Sequence, residues 1–117
     1  MIQVLVVEDE PLLLMMALDL VEDIGFEVFE ATNADDAIRL LEAEPGIQIV
    51  WTDIDIPGSM NGLVFAKAVR ERYPPIEILV VSAMTKPLLH QMPERGIFFT
   101  KPYNRKQLAQ TLIGLAA

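Results

Sequence analysis

The feature that most constrains the fold is an alternation between short, nearly continuous apolar runs and longer segments with helical spacing. Apolar runs rich in β-branched residues occupy positions 2–7, 47–52 and 76–82, and weaker ones occupy 27–30 and 97–100. Runs of this length and composition predict strands that are buried on both faces of a sheet. Because helical segments separate them, the strands are expected to be parallel and joined by right-handed βαβ crossovers.

In the segments between these runs, apolar residues recur at intervals of three and four, which predicts helices. The first helix begins at Pro11, a residue suited to a first turn, and ends before Gly25. Asn33 is expected to cap the second helix, the third covers about 62–72, and the last starts near Asn104. These helices alternate with the predicted strands along the chain.

The predicted fold is α/β, a doubly wound five-stranded parallel sheet of order 2-1-3-4-5 with the flavodoxin-like (βα)5 arrangement. A short or irregular fourth helix is expected, because Pro87 can begin a helix but Pro93 prevents it from continuing. The apolar side chains of this segment either form an adaptable patch for a protein partner or cover the sheet. They are Leu88, Leu89 and Met92.

Length and charge limit the classes of function. The 117 residues suit one domain that covers 1–117, and 17 Asp and Glu against 9 Lys and Arg give a net charge of -8. This acidity argues against direct nucleic-acid binding and against docking on an anionic membrane. No cysteine is present, no apolar run is long enough to span a membrane, and the start lacks the basic region of a secretory signal. We expect a cytoplasmic protein that is a monomer or a weak dimer.

Reactive side chains follow or end four of the five predicted strands. They are Glu8 and Asp9 on the first, Asp53 on the third, Ser82 on the fourth and Lys101 on the fifth. In a sheet of this order the first and third strands are neighbours, so their carboxylates share one pocket. Like charges this close repel one another, and a divalent cation removes that cost. Carboxylates without His or Cys ligands favour Mg²⁺, with Mn²⁺ as a second possibility.

This set of residues resembles the receiver domain of two-component response regulators, and the resemblance covers the whole chain. Glu8 and Asp9 match the acidic pair of the family, and Asp53 matches the phosphoacceptor. Ser82 matches the hydroxyl residue after the fourth strand, and Lys101 followed by Pro102 matches the lysine and proline after the fifth. The resemblance implies that Asp53 accepts a phosphoryl group from a histidine kinase or a phosphotransfer protein and then changes contacts with a downstream protein target.

The resemblance also implies the ligands of the cation. Asp9 and Asp53 would bind Mg²⁺ directly, together with the backbone carbonyl of Asp55, and Glu8 would bind it through water. Lys101 and the Ser82 hydroxyl would contact the phosphoryl oxygens.

Further roles are implied for residues around the acceptor. Ser82 and Phe98 would form the switch pair, and the bond between Lys101 and Pro102 would be cis. Asp55 and Met84 would flank the hydrolytic water and tune dephosphorylation.

The position of a glycine is one departure from the usual family pattern. Gly62 lies one residue later than usual after the acceptor, a change of loop length that we interpret as remote from the metal.

Two alternatives to a stand-alone regulator stay open. Asp53-Ile54-Asp55 is similar to the DxD nucleophile motif of haloacid dehalogenase-like phosphohydrolases, in which the second aspartate is a general acid or base. The second alternative is that the chain is a receiver fragment of a larger transcription factor or hybrid kinase. Under the receiver interpretation the protein is not an enzyme, because it catalyses only its own phosphorylation and dephosphorylation.

Overall fold

Five parallel strands form a single sheet in a computed structural model that describes residues 1–117. The strands are β1 (Gln3–Val7), β2 (Glu27–Ala31), β3 (Ile47–Asp53), β4 (Glu77–Ser82) and β5 (Ile97–Thr100). Their order is β2-β1-β3-β4-β5, and every neighbouring pair is parallel. The fold class predicted from the apolar runs is confirmed.

Four α-helices connect or follow the strands, and each begins at a capping side chain. They are α1 (Pro11–Asp23), α2 (Ala34–Ala43), α3 (Gly62–Arg72) and α4 (Arg105–Ala116). The caps are the Glu10 carboxylate and the side chains of Asn33, Asn61 and Asn104, each of which accepts hydrogen bonds from backbone N–H groups of the first turn. Such a cap stabilises a helix start by about 1 kcal/mol.

The connection between β4 and β5 lacks an α-helix and contains only a 3₁₀ turn, Leu89–Gln91. Basic side chains of α3 hold this connection in place. The Lys67 ammonium donates to the carbonyl of His90 at 2.6 Å, and Arg70 Nε donates to the carbonyl of Glu94 at 2.9 Å. The prediction that the element between β4 and β5 is a short or irregular helix is therefore confirmed. Side-chain bonds from α3 anchor its irregular backbone.

The apolar residues of this connection divide between the two uses considered from the sequence. Met92 is partly buried and packs against the core, so it covers the sheet. Leu88 is 60% exposed and Leu89 is 92% exposed, so neither covers it.

The core has one layer on each face of the sheet. Phe65 of α3 packs with Leu5 and Ile78 on one face, and Leu20 of α1 packs with Leu108 of α4 on the other. Both layers leave the carboxyl ends of the strands free for the loops that carry the polar residues. None of the helices combines the length and the apolar character needed to cross a membrane.

Candidate functional site

The sheet register brings the polar strand ends to one edge. Val7 of β1 pairs with Thr52, Asp53 pairs with Val81, and Ser82 pairs with Thr100. Residues that directly follow or end neighbouring parallel strands therefore share the carboxyl edge of the sheet. The backbone continues this pairing past β5, because the N–H of Lys101 donates to the carbonyl of Ser82 at 2.9 Å.

Three carboxylates meet at this edge. Each of Glu8, Asp9 and Asp53 offers one oxygen, and these oxygens lie within 4.8 Å of one another. Glu8 is 5% exposed and Asp53 is 6% exposed, whereas Asp9 is exposed to solvent. The structure thus brings together the three acids that the sequence placed at two different strand ends.

Lys101 bridges the two buried acids. Its Nζ lies 2.5 Å from Glu8 Oε1 and 3.2 Å from Asp53 Oδ2, and its side chain is 11% exposed. Burial lowers the pKa of the Lys101 ammonium, but the hydrogen bond to Glu8 and the nearby carboxylate charges outweigh burial and raise it. Lys101 is therefore charged at neutral pH, and a contact to Glu8 that the sequence did not predict holds it in place.

The second oxygen of Asp53 has no partner. Asp53 Oδ1 is buried and accepts no hydrogen bond, while Oδ2 contacts Lys101. A buried anionic oxygen without a partner is costly unless a cation or a donor binds it. The surrounding oxygen atoms belong to carboxylates, the ligand type that Mg²⁺ prefers. These residues therefore fit a magnesium ion.

Burial raises the pKa of the Asp53 carboxyl, and the charge of Glu8 raises it further, while Lys101 lowers it without cancelling the rise. The folded protein therefore binds the Asp53 proton more tightly than the unfolded chain does. The stability from this proton is complete below the unfolded pKa of about 4 and is lost as the pH rises through the higher folded pKa.

An Asp53→Asn variant, which cannot ionise, should therefore be more stable than the parent at neutral pH. We expect a gain of about 1 kcal/mol in the free energy of unfolding, the usual scale for single substitutions. Urea unfolding in the absence of divalent cations, from about pH 4 to pH 7, measures this difference. The gain should shrink toward acid pH. A gain that is constant with pH would show that it does not come from the ionisation of Asp53. Asp19→Asn, on the exposed side of α1, is the control, and an equal gain there would contradict the explanation as well.

Ser82 is buried beside a hydrogen-bonded loop. Its hydroxyl donates to Asp55 Oδ2 at 3.0 Å and accepts from the N–H of Thr85 at 2.9 Å. Asp55 Oδ1 accepts a second bond from the Thr85 hydroxyl at 3.2 Å. A role for Thr85 was not predicted from the sequence, although its hydroxyl, three positions after Ser82, was a signal that could have indicated it.

The other predicted residues lie outside this cluster of contacts. Met84 is 88% exposed, and Phe98 is partly buried and packs against the core layer formed by α2 and α3. The peptide bond between Lys101 and Pro102 is cis. Nothing in these contacts assigns Met84 or Phe98 a role, so their tuning and switch roles stay predictions.

Gly62 lies directly against the backbone of Asp53. Its N–H donates to the carbonyl of Ile54 at 2.8 Å, and a Cβ added to it would lie 1.9 Å from the carbonyl oxygen of Asp53. The interpretation of the loop-length change as remote from the metal stays a prediction, but the glycine itself lies against the backbone of Asp53. The start of α3 packs so closely behind the acceptor that only glycine fits.

Comparisons of sequence agree with this arrangement. Residues 4–113 match the family described as the response regulator receiver domain. The sensor histidine kinase GacS of Pseudomonas protegens is 32% identical, over 95% of this chain and 13% of the relative. The hydrogenase transcriptional regulatory protein HoxA of Cupriavidus necator is 34% identical, over 93% of this chain and 23% of the relative. The chain thus spans less than a quarter of either protein.

Solved structures share the fold over nearly the whole chain. A response regulator receiver protein from Sinorhizobium medicae has a TM-score of 0.87 and 26% identity, covering 97% of this chain and 93% of that chain. A response regulator receiver domain protein from Clostridium thermocellum has a TM-score of 0.89, covering 98% of this chain and 94% of that chain. The latter is 20% identical and shows the fold alone.

Proposed function

The chain belongs to the response regulator receiver domain family, and we propose that it is a phosphoacceptor switch whose modified residue is Asp53. Receiver domains interact with histidine kinases and with downstream targets in two-component systems, and they bind Mg²⁺ at an acidic pocket. For this chain the donor would be a phosphohistidine on a histidine kinase or on a phosphotransfer protein. Phosphorylation would then change its contact with a downstream protein.

The observation that carries the proposal is the unpartnered oxygen of Asp53. Oδ1 is buried without a hydrogen bond, while Lys101 holds Oδ2 of the same carboxylate at 3.2 Å. A carboxylate fixed at one oxygen and free at the other is suited to nucleophilic attack, which forms an acyl phosphate.

The transfer replaces one bond to phosphorus by another. One oxygen of the Asp53 carboxylate forms a bond to phosphorus, the bond between phosphorus and the histidine nitrogen breaks, and its electron pair returns to the imidazole. Catalysis of such a transfer consists mainly of positioning and of neutralising the phosphoryl oxygens. The Lys101 ammonium, buried beside the acceptor, supplies one positive charge for this purpose.

The acids at this edge also suit the cation that we propose. Asp9 and Asp53 would hold Mg²⁺ directly with the backbone carbonyl of Asp55, and Glu8 would act through water. When bound, the cation neutralises negative charge on the transferring oxygens. In the resting protein Glu8 forms an ion pair with Lys101, and this positive charge weakens the repulsion between Glu8 and the other acids.

Intact mass spectrometry after incubation with acetyl phosphate and Mg²⁺ tests the proposal. The parent should gain one phosphoryl group, and Asp53→Asn should gain none. Asp35→Asn is a matched control, because it removes one carboxylate from the start of α2 and should leave the adduct unchanged. Absence of an adduct on the parent, or an adduct that persists in Asp53→Asn, would refute the assignment.

A separate turnover assay addresses the phosphohydrolase alternative. We propose that the protein is not an enzyme for external substrates, because the second carboxylate of the DxD-like segment already accepts two hydroxyl hydrogen bonds. A generic phosphomonoester such as p-nitrophenyl phosphate should therefore show no turnover. Multiple turnovers that disappear in both Asp53→Asn and Asp55→Asn would favour the hydrolase instead.

Magnesium should stabilise the resting protein. Millimolar Mg²⁺ is expected to raise the melting temperature of the parent by about 4 °C, which corresponds to about 1 kcal/mol for a domain of this size. Asp9→Ala should reduce this shift to less than half, because it removes the exposed member of the three-acid cluster. Differential scanning calorimetry measures both shifts, and equal shifts in parent and variant would show that Asp9 is only a surface acid.

A further inference from the structure

The Asp55 side chain makes two bonds that the proposed chemistry leaves unexplained. Its carboxylate accepts the Ser82 hydroxyl at 3.0 Å and the Thr85 hydroxyl at 3.2 Å. The N–H of Thr85 donates to the Ser82 oxygen at 2.9 Å, which closes a cycle of three hydrogen bonds. The cycle joins the loop after β3 to the loop after β4.

The cycle uses the only proton that Ser82 can donate. A serine hydroxyl has one donor hydrogen, and here that hydrogen is directed to Asp55. Ser82 is 1% exposed, so water does not offer a competing partner to its hydroxyl. Hydrogen bonds to an ionised carboxylate are about twice as strong as bonds between neutral groups.

We propose that Asp55 is a positioning residue, which holds the Ser82 and Thr85 hydroxyls in a resting arrangement and competes with a phosphoryl group on Asp53 for the Ser82 proton. This inference rests on the proposed function and on the contact between the Ser82 hydroxyl and the phosphoryl oxygens that the family resemblance implies. Because one proton makes a near-linear, strong hydrogen bond to only one acceptor, a Ser82 hydroxyl that donates to the phosphoryl group gives up its bond to Asp55. Asp55 therefore opposes activation of its own site.

The Thr85 loop moves with the same bond. When the Ser82 hydroxyl leaves Asp55, the Thr85 N–H loses its acceptor at the present position. The Thr85 hydroxyl keeps its bond to Asp55. The cycle thus couples the occupancy of the Asp53 site to the conformation of the chain that follows β4. That chain leads into the exposed segment around Leu88 and Leu89.

The resting contact can be measured without any phosphoryl ligand. Amide hydrogen exchange, followed by NMR in the apo protein, should be at least about tenfold faster at Thr85 in Asp55→Ala than in the parent, because the acceptor Ser82 is no longer fixed. The matched control is Asp35→Ala, which also removes one carboxylate and one bond to a serine hydroxyl, that of Ser59 at 3.0 Å. Unchanged exchange at Thr85 in Asp55→Ala would overturn the proposal.

Competition is measured with beryllofluoride, a phosphoryl mimic, in the presence of Mg²⁺. The fluorescence of Trp51, which is buried two residues before Asp53 and in edge contact with Tyr103, reports its binding. Asp55→Ala should bind beryllofluoride about tenfold more tightly than the parent, since the loss of one charge-assisted hydrogen bond is worth about one order of magnitude. Unchanged or weaker binding would overturn the proposal.

A double-mutant cycle with Ser82→Ala separates competition from simple charge repulsion. If Asp55 acts through Ser82, the tightening caused by Asp55→Ala should disappear when Ser82 is already alanine. An equal tightening in both backgrounds would mean that only the negative charge of Asp55 matters, and the positioning role would be rejected.

The two proposals fail in different ways. If neither beryllofluoride nor acetyl phosphate acts on the parent or on Asp55→Ala, the proposed function fails, and the competition inferred from it fails with it. If the parent binds the mimic and forms the Asp53 adduct but the double-mutant cycle shows no coupling between Asp55 and Ser82, only the role of Asp55 is overturned. An Asp53 adduct on the parent, together with tighter mimic binding in Asp55→Ala than in the parent, would support both proposals.

Discussion

Replacing Gly62 by alanine is expected to lower the free energy of unfolding by about 3 kcal/mol, the upper end of what overpacking usually costs. The added Cβ would lie 1.9 Å from the carbonyl oxygen of Asp53 and 2.7 Å from its carbonyl carbon. Backbone atoms cannot move aside as a flexible side chain can, so either α3 or the end of β3 must shift. Urea unfolding of the parent and of Gly62→Ala measures the loss.

Gly114→Ala is the matched control for this prediction. Gly114 also lies in a helix, α4, but a Cβ added there meets nothing within 4 Å. Alanine should therefore stabilise the protein by about 0.5–1 kcal/mol through helix propensity alone. If Gly62→Ala behaves like Gly114→Ala, the close contact behind the acceptor is not present in solution.

Replacing Lys101 by methionine is expected to lower the free energy of unfolding by about 3 kcal/mol in the absence of divalent cations. Removal of one partner from a buried ion pair leaves an uncompensated charge and usually costs about 3–5 kcal/mol. Here two buried carboxylates, Glu8 and Asp53, lose their shared cation together. The lower end of the range applies because the Lys101 side chain keeps 11% exposure and its neighbours can take up water.

Two further variants identify the cause of this loss. Lys106→Met removes an exposed lysine of α4 and should change stability by less than about 0.5 kcal/mol. Asp53→Asn, added to Lys101→Met, should restore more than half of the lost stability, because one of the two repelling charges is removed. Equal unfolding free energies for Lys101→Met and the parent would show that the buried bridge contributes nothing.

The fold was predictable because its determinants are local in the sequence. The apolar runs at 2–7, 47–52 and 76–82 are strands of a sheet covered on both faces, and the intervening periodicity fixes the crossovers. Pro87 and Pro93 predicted the missing helix through the backbone geometry of proline. The bonds from Lys67 and Arg70 that replace that helix could not be predicted, because they depend on where α3 lies relative to the loop.

The members of the site were predictable for a related reason. A parallel sheet brings the residues after its strands to one edge whatever the side-chain conformations, so the strand pattern alone groups the acids, Ser82 and Lys101. The partner of each side chain was not predictable in the same way. Lys101 pairs with Glu8 across 93 positions of sequence, and Ser82 pairs with Asp55 across 27.

The order of apolar runs and prolines along the chain is enough to specify the topology and the edge of the sheet at which the acids gather. Strand periodicity and proline positions act over a few residues, and the right-handed crossover then leaves little freedom in the strand order. Three features of the site follow from long-range packing instead: Glu8 and Asp53 share one lysine, Asp55 holds the Ser82 hydroxyl, and Gly62 must be glycine. These contacts depend on how the loops after the strands lie relative to one another, which is set by the packing of the whole sheet and its helices.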